Sequence, residues 1–156
     1  MKTILFLLIL LQTFLFSDEL EIKAQSFFAD EKAGLSVFEG DVKIKKGTDE
    51  LNASKVTVYI DADKSPTKFI AEGDVSFKVK TEDNAFYEGV AQKAVYFPNK
   101  KEYNFYKNVH LKQDGDKKEI QGDEVILKIL ENKAYAKGAE KDPVIMIFEF
   151  KEDEQK

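Results

Sequence analysis

Phe38-Glu39-Gly40-Asp41-Val42-Lys43-Ile44-Lys45 recurs further along the chain as Ala71-Glu72-Gly73-Asp74-Val75-Ser76-Phe77-Lys78, and more loosely as Phe105-Tyr106-Lys107-Asn108-Val109-His110-Leu111-Lys112. A worn fourth copy begins Ala136-Lys137-Gly138-Ala139-Glu140, so Gly40, Gly73, Lys107 and Gly138 stand 33, 34 and 31 residues apart. A unit repeated at this period constrains architecture more than single-residue propensity does, because each copy must share its apolar face with its neighbours.

A second element recurs between these copies: Leu51-Asn52-Ala53-Ser54-Lys55-Val56-Thr57-Val58-Tyr59, then Gly89-Val90-Ala91-Gln92-Lys93-Ala94-Val95-Tyr96-Phe97, then Ile120-Gln121-Gly122-Asp123-Glu124-Val125-Ile126-Leu127. The opening stretch Ile22-Lys23-Ala24-Gln25-Ser26-Phe27 fits the same template. About four copies of a two-part unit therefore fill the chain beyond its N-terminal segment.

Apolar residues alternate within each part: Val42 and Ile44; Phe69, Ala71, Val75, Phe77 and Val79; Tyr103, Phe105, Val109 and Leu111. A period of two means half-buried strands with one greasy and one wet face. In the second element the parity slips by one, since Leu51 and Ala53 are followed by Val56, Val58 and Ile60, and Ile120 and Gly122 by Val125, Leu127 and Ile129. Such a slip would turn the wrong face outward unless the strand bends, which predicts a bulge or corner at Ser54-Lys55 and Asp123-Glu124. A corner at a fixed point of each repeat lets one chain wind between two facing sheets.

Turn chemistry separates the strands at Lys46-Gly47-Thr48-Asp49, Asp63-Lys64-Ser65-Pro66, Glu82-Asp83-Asn84, Pro98-Asn99-Lys100 and Gln113-Asp114-Gly115-Asp116. No stretch after the N-terminal segment reads as a long helix. The charged run from Lys151 to Lys156 reads as a disordered tail.

Met1-Lys2-Thr3, the apolar run Ile4 to Phe16 and Ser17 before acidic sequence have the form of a secretory signal peptide, residues 1–17, cleaved after Ser17. The run falls short of the roughly 20 residues a membrane-spanning helix needs. The remainder, residues 18–150, is expected to be one β domain, followed by the tail 151–156. With 43% hydrophobic and 34% charged residues the composition suits a soluble domain with a real core. There is no Cys, hence no disulfide framework and no lipid-anchored cysteine. A net charge of −5 with Lys and Glu interspersed argues against nucleic acid as a partner.

The repeats resemble the OstA-like domain of the lipopolysaccharide-transport system, whose strands carry a recurrent Gly-(Asn/Asp)-Val step and an Ala-Asp-Lys-Val-type step. The matching residues are Gly40-Asp41-Val42, Gly73-Asp74-Val75 and Asn108-Val109, with Ala53-Ser54-Lys55-Val56 and Gly122-Asp123-Glu124-Val125. The resemblance spans residues 19 to 148. It departs from the pattern in Asp for Asn at two steps and in Lys107 where Gly is expected.

The resemblance implies a single twisted, slightly open β-jellyroll, two sheets in a V with apolar faces inward. It implies a non-catalytic periplasmic protein that binds lipopolysaccharide, without a cofactor, and forms part of a bridge between the inner and outer membranes. The implied partners are lipopolysaccharide itself, OstA-like domains at both membranes, and other copies of the chain joined head to tail. Edge strands are expected near Leu20–Gln25 and Val144–Phe150. The implied groove lining combines Leu20, Ile22, Val42, Ile44, Val56 and Val58 with Phe69, Val75, Phe77, Val79, Phe105, Val109 and Leu111.

Simpler readings stand beside these. An inward Val or Ile on a strand is ordinarily plain core, and a Gly beside Asp is ordinarily a backbone requirement. Asp41 and Asp74 read as solvated turn residues, not paired catalytic carboxylates. His110 lies on the wet face between Val109 and Leu111, and one His without Cys leaves the usual zinc sites unsupported. An envelope enzyme would need a nucleophile and an acid grouped with His110, and neither is apparent. The closest rival is an inner-membrane-anchored OstA-like partner that keeps its N-terminal segment; a structural β-repeat protein is the more distant one.

Overall fold

The computed structural model describes residues 19–80, 84–114 and 118–149. The expected signal segment 1–17, the tail 151–156 and parts of the turns near 82 and 115 lie outside the described residues.

Among the described residues the alternating segments form ten strands: β1 (Leu20–Lys23), β2 (Ser26–Asp30), β3 (Leu35–Lys46), β4 (Asp49–Ile60), β5 (Pro66–Lys80), β6 (Phe86–Phe97), β7 (Glu102–Gln113), β8 (Lys118–Lys128), β9 (Lys133–Lys137) and β10 (Ile145–Phe148). The six long strands β3 to β8 pair antiparallel in sequence order, with β1 and β2 both on β3 and both β9 and β10 on β8. Connections are short because the chain only reverses. Lys46 pairs with Asp49 across Gly47-Thr48, with Gly47 at φ +59, and single 3-10 turns at Pro98–Lys100 and Ile129–Glu131 each end on a left-handed residue, Lys101 and Asn132.

Every long strand bends at one point, and the bend has a common cause. Between β3 and β4 the register passes from Glu39↔Lys55 to Val42↔Ala53, two residues against one. The same shift separates Glu72↔Lys93 from Val75↔Ala91, and Tyr106↔Glu124 from Val109↔Gly122. The two residues are Gly40-Asp41, Gly73-Asp74 and Lys107-Asn108, all at positive φ. The corner therefore lies at Ser54-Lys55 and Asp123-Glu124 as the parity slip required, but the residue in excess belongs to the neighbouring Gly-Asp strand. The slip in β4 is the matching response: Ser54 and Lys55 both turn outward so that Ala53 and Val56 can both face in.

The corner divides each long strand between two layers. One layer holds β2, β9, the first halves of β3, β5 and β7 and the second halves of β4, β6 and β8; the other holds β1, β10 and the remaining halves. The end strands obey the same rule in broken form. β1 and β2 are one strand interrupted at Ala24-Gln25, where the Gln25 amide donates to the carbonyls of Glu39 and Gly40. At the other end the fourth repeat does not continue as a strand: the chain leaves β8 at Lys137 and loops through Pro143, which has no N–H for a ladder, before β10 resumes the pairing.

Phe77 of β5 stacks on Phe105 of β7 with centroids 4.3 Å apart. Strands two positions apart in one sheet are separated by roughly 9–10 Å, so this contact bridges the layers. Near the corner the layers converge on small or β-branched side chains, Val42, Ala53, Val56, Ala71, Val75 and Val125, all 6% exposed or less. The rings of Phe77 and Phe105 pack beside them, while Tyr96 and Tyr103 stand farther out, beside the Pro98 turn. Outward residues form cross-strand rows of alternating charge, Glu21-Lys45-Glu50-Lys78-Glu88-Lys112-Glu119 on one layer and Glu39-Lys55-Glu72-Lys93 on the other. Opposite charges thus face each other across each strand pair, the favourable arrangement for exposed ladders.

Candidate functional site: an apolar trough between the layers

Away from the corner the two layers splay and leave a solvent-open cavity of about 570 Å³, within the usual range for sites that bind small organic ligands. One wall presents Leu20, Ile44, Leu51, Phe77 and Val79, and the facing wall presents Val56, Phe69, Ala71, Ala94 and Phe105. Aromatic rings carry much of the second wall: Phe69 contacts Tyr96 at 6.1 Å, Tyr96 stacks on Tyr103 at 4.4 Å, and Tyr103 lies parallel to Phe105 at 6.3 Å. Polar groups line the cavity at its rim, where Lys46, Asp49 and Glu50 stand at the β3–β4 hairpin and the Tyr96 and Tyr103 hydroxyls lie on the opposite wall.

Of the residues the sequence assigned to the groove, Leu20, Ile44, Val56, Phe69, Phe77, Val79 and Phe105 line this cavity. Val42, Val58, Val75, Val109 and Leu111 instead belong to the packed core, and Ile22 is half-buried against it. Alternation reports which face a side chain takes but not whether the facing layer packs against it or stands off, and that is what separates lining from core. Leu51, Ala71, Ala94, Tyr96 and Tyr103 were not assigned to the groove. Leu51 and Tyr103 already lay in the alternating sets; Tyr96 carries the same parity as Ala94 and stands beside the Pro98 turn.

Tyr103 is the most perturbed titratable group among the described residues. Its phenol is pushed far above the ordinary tyrosine range, first by burial and then by Tyr96 and by the Asp49 carboxylate near it. Asp49 is fixed in turn by accepting a 2.8 Å hydrogen bond from the Lys80 backbone N–H. His110 occupies the outer face, as expected, though half-buried; its Nε2 lies 3.0 Å from Glu119 Oε2. That hydrogen bond, with Lys112 nearby, holds the Glu119 carboxyl below its usual range. Asp41 and Asp74 are exposed at the corner, each within reach of a glutamine amide, Gln25 at 3.4 Å and Gln92 at 3.5 Å. Among the described residues no cluster of His, Cys, Asp and Glu has the form of a metal site.

Both ends of the sheet are bare and greasy. Phe27 and Phe28 of β2 are 61% and 60% exposed, and all four residues of β10, Ile145 to Phe148, are about half exposed. Monomeric proteins usually blunt such edges with charge or proline.

The architecture is thus an all-β, open, twisted antiparallel jellyroll with an apolar trough between its layers and unpaired strands at both margins. Residues 21–133 match the family described as LptA/(LptD N-terminal domain) LPS transport protein, and the chain belongs to that family. It is similar in fold to the crystal structure of LptH, the LptA homologous periplasmic component of the conserved lipopolysaccharide transport device from Pseudomonas aeruginosa, with a TM-score of 0.74 at 18% identity over 85% of this chain and 96% of that one. No curated protein matches the chain.

Proposed function

We propose that this protein is a non-catalytic periplasmic component of the bridge that carries lipopolysaccharide from the inner to the outer membrane, holding acyl chains in the trough between its layers. The observation that carries the reading is the open apolar cavity of about 570 Å³ between two walls of one continuous sheet. Moving an acyl chain through water costs about 0.8 kcal/mol per methylene, on the order of 10 kcal/mol for a dozen carbons. A trough lined by Leu20, Ile44, Leu51, Phe69, Phe77 and Phe105 offsets that cost and leaves a sugar head group in solvent, so no chemical step is required.

The bare edges of β1 and β2 and of β9 and β10 suit strand addition by neighbouring sheets. Their partners in this reading are OstA-like domains of an inner-membrane (LptC-like) and an outer-membrane (LptD-like) protein, and further copies of the chain arranged head to tail. Export depends on residues 1–17 acting as a cleavable signal.

A photo-crosslinking side chain placed at Phe69 should capture lipopolysaccharide in intact cells, and one at the outward Glu88 should not. Equal capture at both, or none at Phe69, would defeat the reading. N-terminal sequencing of the exported protein separates the bridge component from the membrane-anchored partner, the first starting at Asp18 and the second at Met1.

A further inference from the structure

The trough is not uniformly greasy, and its polar groups are not scattered. On one wall Tyr96 and Tyr103 are direct cross-strand partners on the inner face, stacked at 4.4 Å. On the other, Asp49 stands two residues from Leu51 and shares its inward face, with the carboxylate tethered to the Lys80 backbone. All three line the same cavity and stand at strand ends away from the corner, Asp49 at the β3–β4 hairpin and the two tyrosines beside the Pro98 turn. Below them, toward the corner, the lining is Val56, Ala71, Ala94, Phe77 and Phe105.

Polar groups in such a place have a definite inventory. Each phenol has one O–H to donate and lone pairs to accept with, whereas an ionised carboxylate only accepts. At most one hydrogen bond joins the two tyrosines, which leaves a donor and several acceptors among residues that line the space a ligand would fill. A ligand carbonyl could only accept and would leave the acceptors unmatched; a hydroxyl both accepts and donates. Buried polar groups left unmatched are costly, which is why a site that hydrogen-bonds a hydroxyl discriminates strongly against the analogue without one.

We propose that Tyr96, Tyr103 and Asp49 form a hydrogen-bonding station that recognises a hydroxyl carried on an acyl chain near its attachment to the head group, so that the trough selects hydroxylated over plain acyl chains. The proposal rests on the lipid-binding reading above and deepens it. Depth sets the position: the chain beyond the hydroxyl occupies the apolar floor, and the head group stays at the rim beside Lys46 and Glu50.

The test uses two amphiphiles that differ in one atom, N-(3-hydroxytetradecanoyl)glucosamine and N-tetradecanoylglucosamine, in displacement of a fluorescent fatty probe from the purified protein, with lipopolysaccharide binding measured in parallel. The hydroxylated amide should bind about tenfold more tightly, the worth of one well-made hydrogen bond. Tyr103→Phe and Tyr96→Phe, which keep the rings, should bring the ratio of the two affinities toward one. Equal affinities in the unaltered protein, or a ratio that survives both substitutions, would overturn the station. If lipopolysaccharide binds in that case the trough keeps its role and only the station fails; if neither the amides nor lipopolysaccharide bind, the lipid-binding reading fails with it.

Discussion

Ser54 Oγ donates to the Gly73 carbonyl at 3.3 Å, and the same oxygen lies 2.6 Å from where a Cβ on Gly73 would sit. Gly73 also has φ +81, outside the range L side chains adopt readily. The corner between the layers is therefore specified twice, by backbone conformation and by the side chain packed opposite.

Gly73→Ala should accordingly destabilise the fold by about 1–3 kcal/mol, the usual cost of a residue held in a sparsely populated backbone region. Adding Ser54→Gly removes the collision but not the strain, so it should restore only part of the loss. Chemical denaturation of the unaltered protein and of the two variants measures both terms.

Asp74 follows at φ +45. A solvated turn residue would tolerate alanine, but this backbone does not: Asp74→Ala should cost about 1 kcal/mol from the left-handed conformation, and Asp74→Gly should cost less. Neither change should affect lipopolysaccharide binding, because the side chain points away from the trough. Thermal melts alongside a binding titration check both statements.

Ile44 and Phe69 face each other's layer across the cavity without being sealed into the core. Ile44→Glu and Phe69→Glu should each weaken lipopolysaccharide binding by more than tenfold, about 1.4 kcal/mol, while lowering the melting temperature only modestly. By contrast Val75→Glu, at a side chain 1% exposed, should prevent folding. Equal losses of binding and stability for Ile44→Glu would reduce that position to ordinary core.

Because the Tyr103 phenol is held above its ordinary value in the fold, its contribution to stability is complete below the pKa of an unfolded tyrosine, about 10. That contribution is lost as the pH climbs beyond it, since the unfolded chain can then release the proton and the folded chain resists doing so. Tyr103→Phe removes this dependence. Melting temperatures between pH 8 and pH 11.5 should therefore fall more steeply for the unaltered protein than for the variant.

Strand positions, the inward face and the bends were legible because period-two alternation and its one-residue slip are local properties of the chain. Ala53, Val56, Gly122 and Val125 were enough to place two corners. Which strand carried the excess residue was not legible, since Gly40-Asp41 and Ser54-Lys55 look equally like bends until the pairing is known. The same limit blurred the trough: Val42 and Ile44 alternate identically, yet one is fully enclosed and the other lines open space, because the facing layer packs against the first and stands off from the second. The fourth copy was already worn in the sequence: Gly138-Ala139 lacks the Asp or Asn of the other steps, and Pro143 cannot join a ladder.

Since all six long strands pass through the corner, neither wall exists as a separate body. The aperture is governed by covalent continuity at one end, whatever touches across the middle. Prying the walls apart would mean deforming six backbones at once, while fraying at the lateral margins involves only four- and five-residue segments. Under the proposed lipid-binding role, a bulky amphiphile is therefore expected to slide in lengthwise past those margins, the behaviour of a conduit and not of a clasp.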